Sequence, residues 1–243
     1  MKNFRLKPRF KINFKEIVGA NVAALELCAF MVPDFTRMWD KFWYGIRFLL
    51  YVVGIYGSQL SSEIMNFLFV EGSISEIASA SFLFLTHAVQ VPKVIYLYKN
   101  MGRVKALIKS IDRSEFQPDS EKQRKILKGY IKTSKFFSYS FWAACIATCI
   151  FWAIYPFTED TLRLPLAGWF PFCITTSPNF EYAYVYQFIA ATLNGLSNIS
   201  IDTMMSGLIM VVCAQLSILN DSLINIRPFA ELEMGHEFTN DKG

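Results

Sequence analysis

The residues whose types could carry chemistry are few in this chain: two histidines, five cysteines and a handful of buried-looking acids. His87 and His236 lie in different segments, so no H-E-x-x-H arrangement exists, and there is no C-x-x-C or phosphate-cradling glycine loop. Cys145 and Cys149 are four apart on one helical face, but a zinc site needs about four ligands. No His, Asp or Glu lies near them in sequence to complete a set. No catalytic residue, metal site or cofactor is expected. The five cysteines (Cys28, Cys145, Cys149, Cys173 and Cys213) form an odd, scattered set, which reads as buried thiols rather than a disulfide framework.

The elements that must position the remaining polar groups follow from composition. Apolar residues make up 53 % of the 243 residues and charged ones only 18 %, with 23 phenylalanines. A soluble domain carries about 25 % charged residues, so lipid is the expected solvent. Disorder, a collagen-like repeat and a basic nucleic-acid arm are excluded. A membrane-crossing helix needs about 20 mostly apolar residues, and four runs qualify, at 43–70, 74–98, 136–156 and 184–219. The predicted fold is therefore an all-α integral membrane bundle, with helices that extend into the cytoplasm. Its parts are an N-terminal segment 1–42, a transmembrane domain 43–219 and a tail 220–243.

Charge gives these spans a direction. Of 24 basic residues, eight fall in 1–42 and eleven in 99–135. The stretch 157–183 carries only Arg163 against Glu159, Asp160 and Glu181. Cytoplasmic loops are rich in Lys and Arg, so the amino terminus is expected inside, and four crossings return the tail there by parity. Residues 1–15 alternate basic and apolar side chains, which suits either the anionic inner leaflet or a flexible topogenic tail. The run 17–32 resembles the apolar core of a signal peptide but lacks a clear cleavage site, so an amphipathic or shallow re-entrant helix is expected. Within the basic loop, Met101 to Ile111 has helical apolar spacing. Ser120 is a candidate N-cap for a second basic helix that enters the third span.

Ionisable groups inside spans are functional candidates, because insertion of a mid-helix Asp, Lys or Arg costs about 2.5–3.5 kcal/mol. Arg47 and Lys93 can snorkel from cytoplasmic ends, and Glu76 sits by the outer turn. His87, near the middle of span two, is either a hydrogen-bonded interior histidine or a ligand contact. Asp202 belongs to the inner half of span four, as a packing or gating partner. The outer halves of spans three and four are aromatic, with Phe151-Trp152 and Tyr155-Pro156-Phe157 at the end of span three and a run from Phe180 to Phe188 at the start of span four. An interfacial aromatic belt explains part of this. An outward-opening apolar pocket for a small uncharged ligand explains the rest. Asn198-Ile-Ser200 and Asn220-Asp-Ser222 match a glycosylation acceptor, but one lies inside a span and the other on the expected cytosolic side.

The outer loop Leu164-Pro165-Leu166-Ala167-Gly168-Trp169-Phe170-Pro171-Phe172, running into Ser177-Pro178-Asn179-Phe180-Glu181-Tyr182-Ala183-Tyr184-Val185-Tyr186-Gln187, resembles the loop before helix four of insect odorant receptors. The stretch from Asp202 through Gln215-Leu216 to Leu219 is similar to that family's fourth helix, and an inside amino terminus agrees. The resemblance implies a ligand-gated cation channel subunit of seven helices, assembled as a tetramer with a shared co-receptor. Its pocket for small hydrophobic odorants would lie in the outer half, formed partly by helices two, three and four. On this chain Trp152, Tyr155, Tyr184, Phe188 and His87 are the candidate lining positions. Partners would be the co-receptor subunit, the odorant and membrane lipid at the plasma membrane, with no nucleic acid.

The sequence departs from the family pattern in carrying four spans of about seven. It ends inside what resembles the second cytoplasmic loop, so a truncated or alternatively spliced form, or an incomplete gene model, is expected. No conduction is expected from 1–243 alone. A gustatory-type chemoreceptor of the same superfamily is the neighbouring alternative, although the 164–187 loop favours the odorant branch. A transporter or membrane-enzyme subunit would need a polar midplane pathway or a catalytic cluster, and neither is visible.

Overall fold

Every regular element of the computed structural model is helical among the described residues, which are 15–34, 37–69, 74–111, 113, 116–118, 120–158 and 163–226. In chain order these are α1 (Lys15–Leu27), α2 (Met38–Leu49), a π-helical segment (Leu50–Gly57), α3 (Ser58–Phe69), α4 (Ile74–Lys99), α5 (Met101–Ile111), α6 (Glu121–Ile154), a 3₁₀ turn (Tyr155–Thr158) and α7 (Asn179–Ile224). The alternating stretch at 1–14, the turn at 71–73, the side chain of Glu76 and the tail 227–243 with His236 lie outside the described residues.

Three stretches are long and apolar enough to cross a membrane: Ala80–Lys99, Glu121–Thr158 and Asn179–Ile224. The expected first span is helical too, but it comes as α2, the π segment and α3 in succession. Two helices are longer than their apolar runs. α6 begins at Glu121, so the basic helix expected from there runs unbroken into the third span, and α7 covers Asn179–Ile224 rather than 184–219. Hydropathy marks only the part of a helix that lies in lipid, whereas the backbone ladder continues into water wherever propensity allows. Large apolar side chains such as Phe82, Phe141, Ile209 and Leu216 stand exposed, as a lipid-facing surface requires.

The chain divides into two compact units. One comprises Met1–Val18, Ala106–Phe136 and Met205–Gly243, and the other Gly19–Lys105 and Phe137–Met204. In the first, Ser120 caps α6 by accepting the Gln123 backbone N–H at 3.1 Å. Leu127 and Ser134 are buried on the same face as Gln123. Gln123 Nε2 donates to Ser222 Oγ at 3.0 Å, and Lys122 Nζ meets Asp221 Oδ1 at 2.6 Å. Donation by Lys122 holds the Asp221 carboxyl below its ordinary value.

In the second unit α1 ends in a Schellman motif. Phe30 N–H bonds the Leu25 carbonyl at 2.8 Å and Ala29 N–H that of Glu26 at 3.2 Å. Ala29 occupies the left-handed position (φ 56°) where glycine is usual. Two side chains of α2 satisfy this helix end: Tyr44 OH donates to the Ala29 carbonyl and Arg47 Nη2 to that of Glu26, each at 2.6 Å. α1 is thus a helix that stops within this unit.

Beyond α2 the π segment widens the helix. A Cβ added at Gly57 would stand 2.8 Å from the Val52 carbonyl oxygen, so a side chain does not fit there. Closure over five residues rather than four brings Tyr51 and Tyr56 toward one face, and both are buried. The Phe30 ring meets them edge-on, at 5.0 and 6.2 Å. Tyr51 OH then donates to Asn194 Oδ1 of α7 at 3.0 Å, and Tyr56 OH to the His87 carbonyl of α4 at 2.8 Å. One local helix distortion therefore aims two phenols at two different neighbours.

Candidate functional site

Leu83, His87 and Gln90 of α4 stand at i, i+4 and i+7, so they share a face. Leu83 and Gln90 are buried. Leu83 packs with Leu166 of the outer loop and Ala191 of α7, and Trp152 of α6 closes on that group. Four chain segments thus converge on one apolar point. One turn along α4, His87 Nδ1 lies 2.8 Å from Glu63 Oε2 of α3. Glu63 is 1 % exposed, and its other oxygen accepts Gln59 Nε2 at 2.8 Å. A carboxyl inside a membrane bundle persists only with such partners.

A further turn along, Gln90 Nε2 donates to Ser197 Oγ at 2.8 Å. Gln90 Oε1 and Asn194 Nδ2 are buried with no hydrogen-bond partner among the described residues. One accepts and the other donates. The site therefore runs from an apolar end at Leu83, Trp152, Leu166 and Ala191, past His87, to a polar end at Gln90 and Asn194. Lys93 and Asp202 form an ion pair still further along, which gives the expected packing acid a partner that snorkelling did not suggest.

The loop between α6 and α7, expected on the outer side, is fastened over this region. Gln187, fully buried on α7, accepts Leu166 N–H at 3.2 Å and donates to the Leu166 carbonyl at 3.0 Å. Trp169 N–H donates to the Ser62 carbonyl at 3.1 Å, and Ser62 Oγ to the Trp169 carbonyl at 2.7 Å. Gly168 sits between these clasps. A Cβ there would meet Ser62 Oγ at 2.7 Å and Gln187 Nε2 at 3.0 Å. Beside the loop lies an open cavity of about 820 Å³, walled by Val52, Val53 and Met65 with Phe170, Tyr182 and Tyr186. In the loop beyond it, the Thr175 hydroxyl holds the Cys173 thiol below its ordinary value.

Of the candidate lining residues, Trp152 is at the convergence point and His87 one turn from it. Tyr184 OH donates to the Ala153 carbonyl at 2.6 Å, bracing the end of α6, with its ring edge-on to Phe157 at 5.9 Å. Tyr155 opens the 3₁₀ turn, and Tyr155 and Phe188 are both exposed. None of the five is among the walls of the 820 Å³ cavity. Sequence reasoning missed Glu63, Leu166 and Gln187. Leu166 and Gln187 both lie in the loop segment quoted above, whereas Glu63 carried only the signal of an acid in an apolar run. Among the described residues no three His, Cys, Asp or Glu side chains form a metal site.

The solved insect olfactory receptor OR5 from Machilis hrabei, in complex with eugenol, has a similar fold. Its TM-score is 0.70 at 18 % identity, covering 85 % of this chain and 55 % of that one. Odorant receptor Or1 of Anopheles gambiae is 27 % identical over 150 residues, which is 59 % of this chain and 34 % of the relative. Odorant receptor 46a, isoform A, of Drosophila melanogaster is 27 % identical over 147 residues, covering 60 % and 39 %. The chain thus spans well under two thirds of the length of the relatives it matches. The family model described as 7tm Odorant receptor matches residues 73–240, which is most of the sequence, and the chain belongs to that family of membrane receptors.

Proposed function

We propose that this chain is the ligand-binding part of an odorant receptor subunit that, in full-length form with a co-receptor, gates a cation channel at the plasma membrane. The observation that carries the reading is the convergence of Leu83, Trp152, Leu166 and Ala191, from α4, α6, the outer loop and α7, on one apolar point. The helices involved are the second, third and fourth of the bundle. Small-molecule sites are commonly apolar with a few convergent polar groups, and His87, Gln90 and Asn194 supply these. The receptor from Machilis hrabei is complexed with eugenol. A ligand of that kind, apolar with one hydroxyl, suits a seat whose far end holds an unpaired acceptor and donor. Trp152 and His87 are the proposed contacts, with Tyr155, Tyr184 and Phe188 toward the outer rim. The basic segments 1–42 and 99–135 support a cytoplasmic amino terminus.

The test is co-expression of the full-length transcript with the co-receptor, followed by an odorant panel under voltage clamp. Inward cation current with at least one odorant, lost in Trp152→Ala at unchanged surface expression, is the expected result. Silence across the panel with surface expression confirmed overturns it.

A further inference from the structure

Leu166 differs from its neighbours in the outer loop. Arg163, Ala167, Trp169 and Phe172 are exposed, whereas Leu166 is 6 % exposed and packs against Leu83 and Ala191 beside Trp152. Its backbone has no freedom to withdraw. Gln187 bonds both its N–H and its carbonyl, Ser62 bonds both backbone groups of Trp169, and Gly168 admits the close approach of the two clasps. A loop side chain has been fixed, like a core residue, at the apolar end of the seat proposed above.

We infer that Leu166 is a specificity-determining residue, the fixed roof whose size sets how long or bulky a ligand can be. The inference rests on the ligand reading of that seat. Its physical basis is the behaviour of truncated cores: removing a buried leucine side chain leaves a cavity that relaxes only partly. An apolar cavity of that kind stays dry and takes up apolar molecules. Each additional methylene buried is worth about fourfold in affinity. Leu166→Ala therefore admits a longer ligand, and Leu166→Phe excludes all but shorter ones. The clasps make this a property of one side chain, because residue 166 keeps its backbone bonds whatever its side chain is.

The experiment uses the purified chain in lipid nanodiscs, with butanol, hexanol, octanol and decanol as probes and ligand-induced thermal stabilisation as readout. Wild type is expected to prefer one member. Leu166→Ala should move the preference to a longer alcohol by about tenfold in relative affinity, and Leu166→Phe should move it to a shorter one. Leu166→Met, of similar volume, keeps the wild-type order and controls for folding. An unchanged order in both Leu166→Ala and Leu166→Phe, with Trp152→Ala abolishing binding, overturns the role of Leu166 and leaves the seat standing. Trp152→Ala that binds like wild type, or a wild type that binds no alcohol, overturns both.

Discussion

Lys93 Nζ lies 2.9 and 2.8 Å from the two carboxylate oxygens of Asp202, and this single lysine ties α4 to α7 one residue after Pro92. The pair is partly open, with side-chain exposures of 32 % and 55 %. Exposed pairs contribute little, so a coupling of about 0.5 kcal/mol is expected in a double-mutant cycle. The exchanged pair, Lys93→Asp with Asp202→Lys, should recover most of the thermal stability that either single change loses. Strict additivity of the two changes in nanodisc unfolding rejects the tie.

Glu63 and His87 form the opposite kind of pair, closed from solvent on the carboxyl side. Removing one member of a buried pair costs about 3 kcal/mol, because the other is left without compensation. His87→Ala should therefore destabilise far more than Glu63→Gln, which keeps the shape and a hydrogen-bonding group. Chemical unfolding of the three proteins checks the order, and equal losses would sink it.

Ala29 sits at φ 56° in the position where α1 turns out of its helix. An L-residue there carries about 1–2 kcal/mol of steric cost that glycine avoids. Ala29→Gly should raise stability by about 0.5–1 kcal/mol after the entropy of the unfolded glycine is counted. A melting temperature that falls instead would show that the buried methyl outweighs the backbone.

Gly168→Ala places a methyl against Ser62 Oγ and Gln187 Nε2. At least one clasp must lengthen, at a cost of about 1 kcal/mol per bond lost. The outer loop should then be cut faster by a protease while the helices stay protected, and Ser62→Ala in the same chain should soften the effect. Indistinguishable cleavage rates would argue against the clasp.

Asp221 contributes to stability through pH. Lys122 donates to it, so its folded carboxyl titrates below the ordinary value of 3.8. A depressed folded value means the stabilisation is complete above the ordinary value and fades as pH falls through the folded one. Wild type and Asp221→Asn should therefore keep a constant stability gap at neutral pH and converge only in acid below about pH 4. A gap that closes between pH 5 and 7 contradicts the assignment.

The helical membrane character of the chain was legible in the sequence, because apolar runs longer than a bilayer is thick have one common solution. The Ser120 cap and the Met101–Ile111 helix were legible for a similar reason, since their signals are local. Pairings were not. Glu63 is an acid within an apolar run and Lys93 was expected to snorkel, and only the rotation of α3 and α4 brings them to His87 and Asp202. The aromatic candidates show the same limit. Trp152 and Phe188 both lie in the halves of α6 and α7 next to the connecting loop, but helix location could not say which of them reaches the convergence point. Leu166 was hidden by its place in a loop, because burial there depends on Gln187, twenty-one residues away.

The wide turn at Leu50–Gly57 has a consequence for helix pitch. A π turn holds one residue more than an α turn, and each residue of an α-helix advances the face by about 100°. Tightening this segment to α geometry at unchanged length would therefore swing everything downstream by roughly that angle, whereas losing one residue as it tightens would largely restore the phase. In the first case Ser58 to Phe69 would stay helical and apolar. Yet the carboxyl of Glu63 would be carried off His87, and Ser62 off the loop it clasps. Between 50 and 57 the chain is indifferent to many exchanges of one apolar side chain for another, and intolerant of a change in pitch at fixed length.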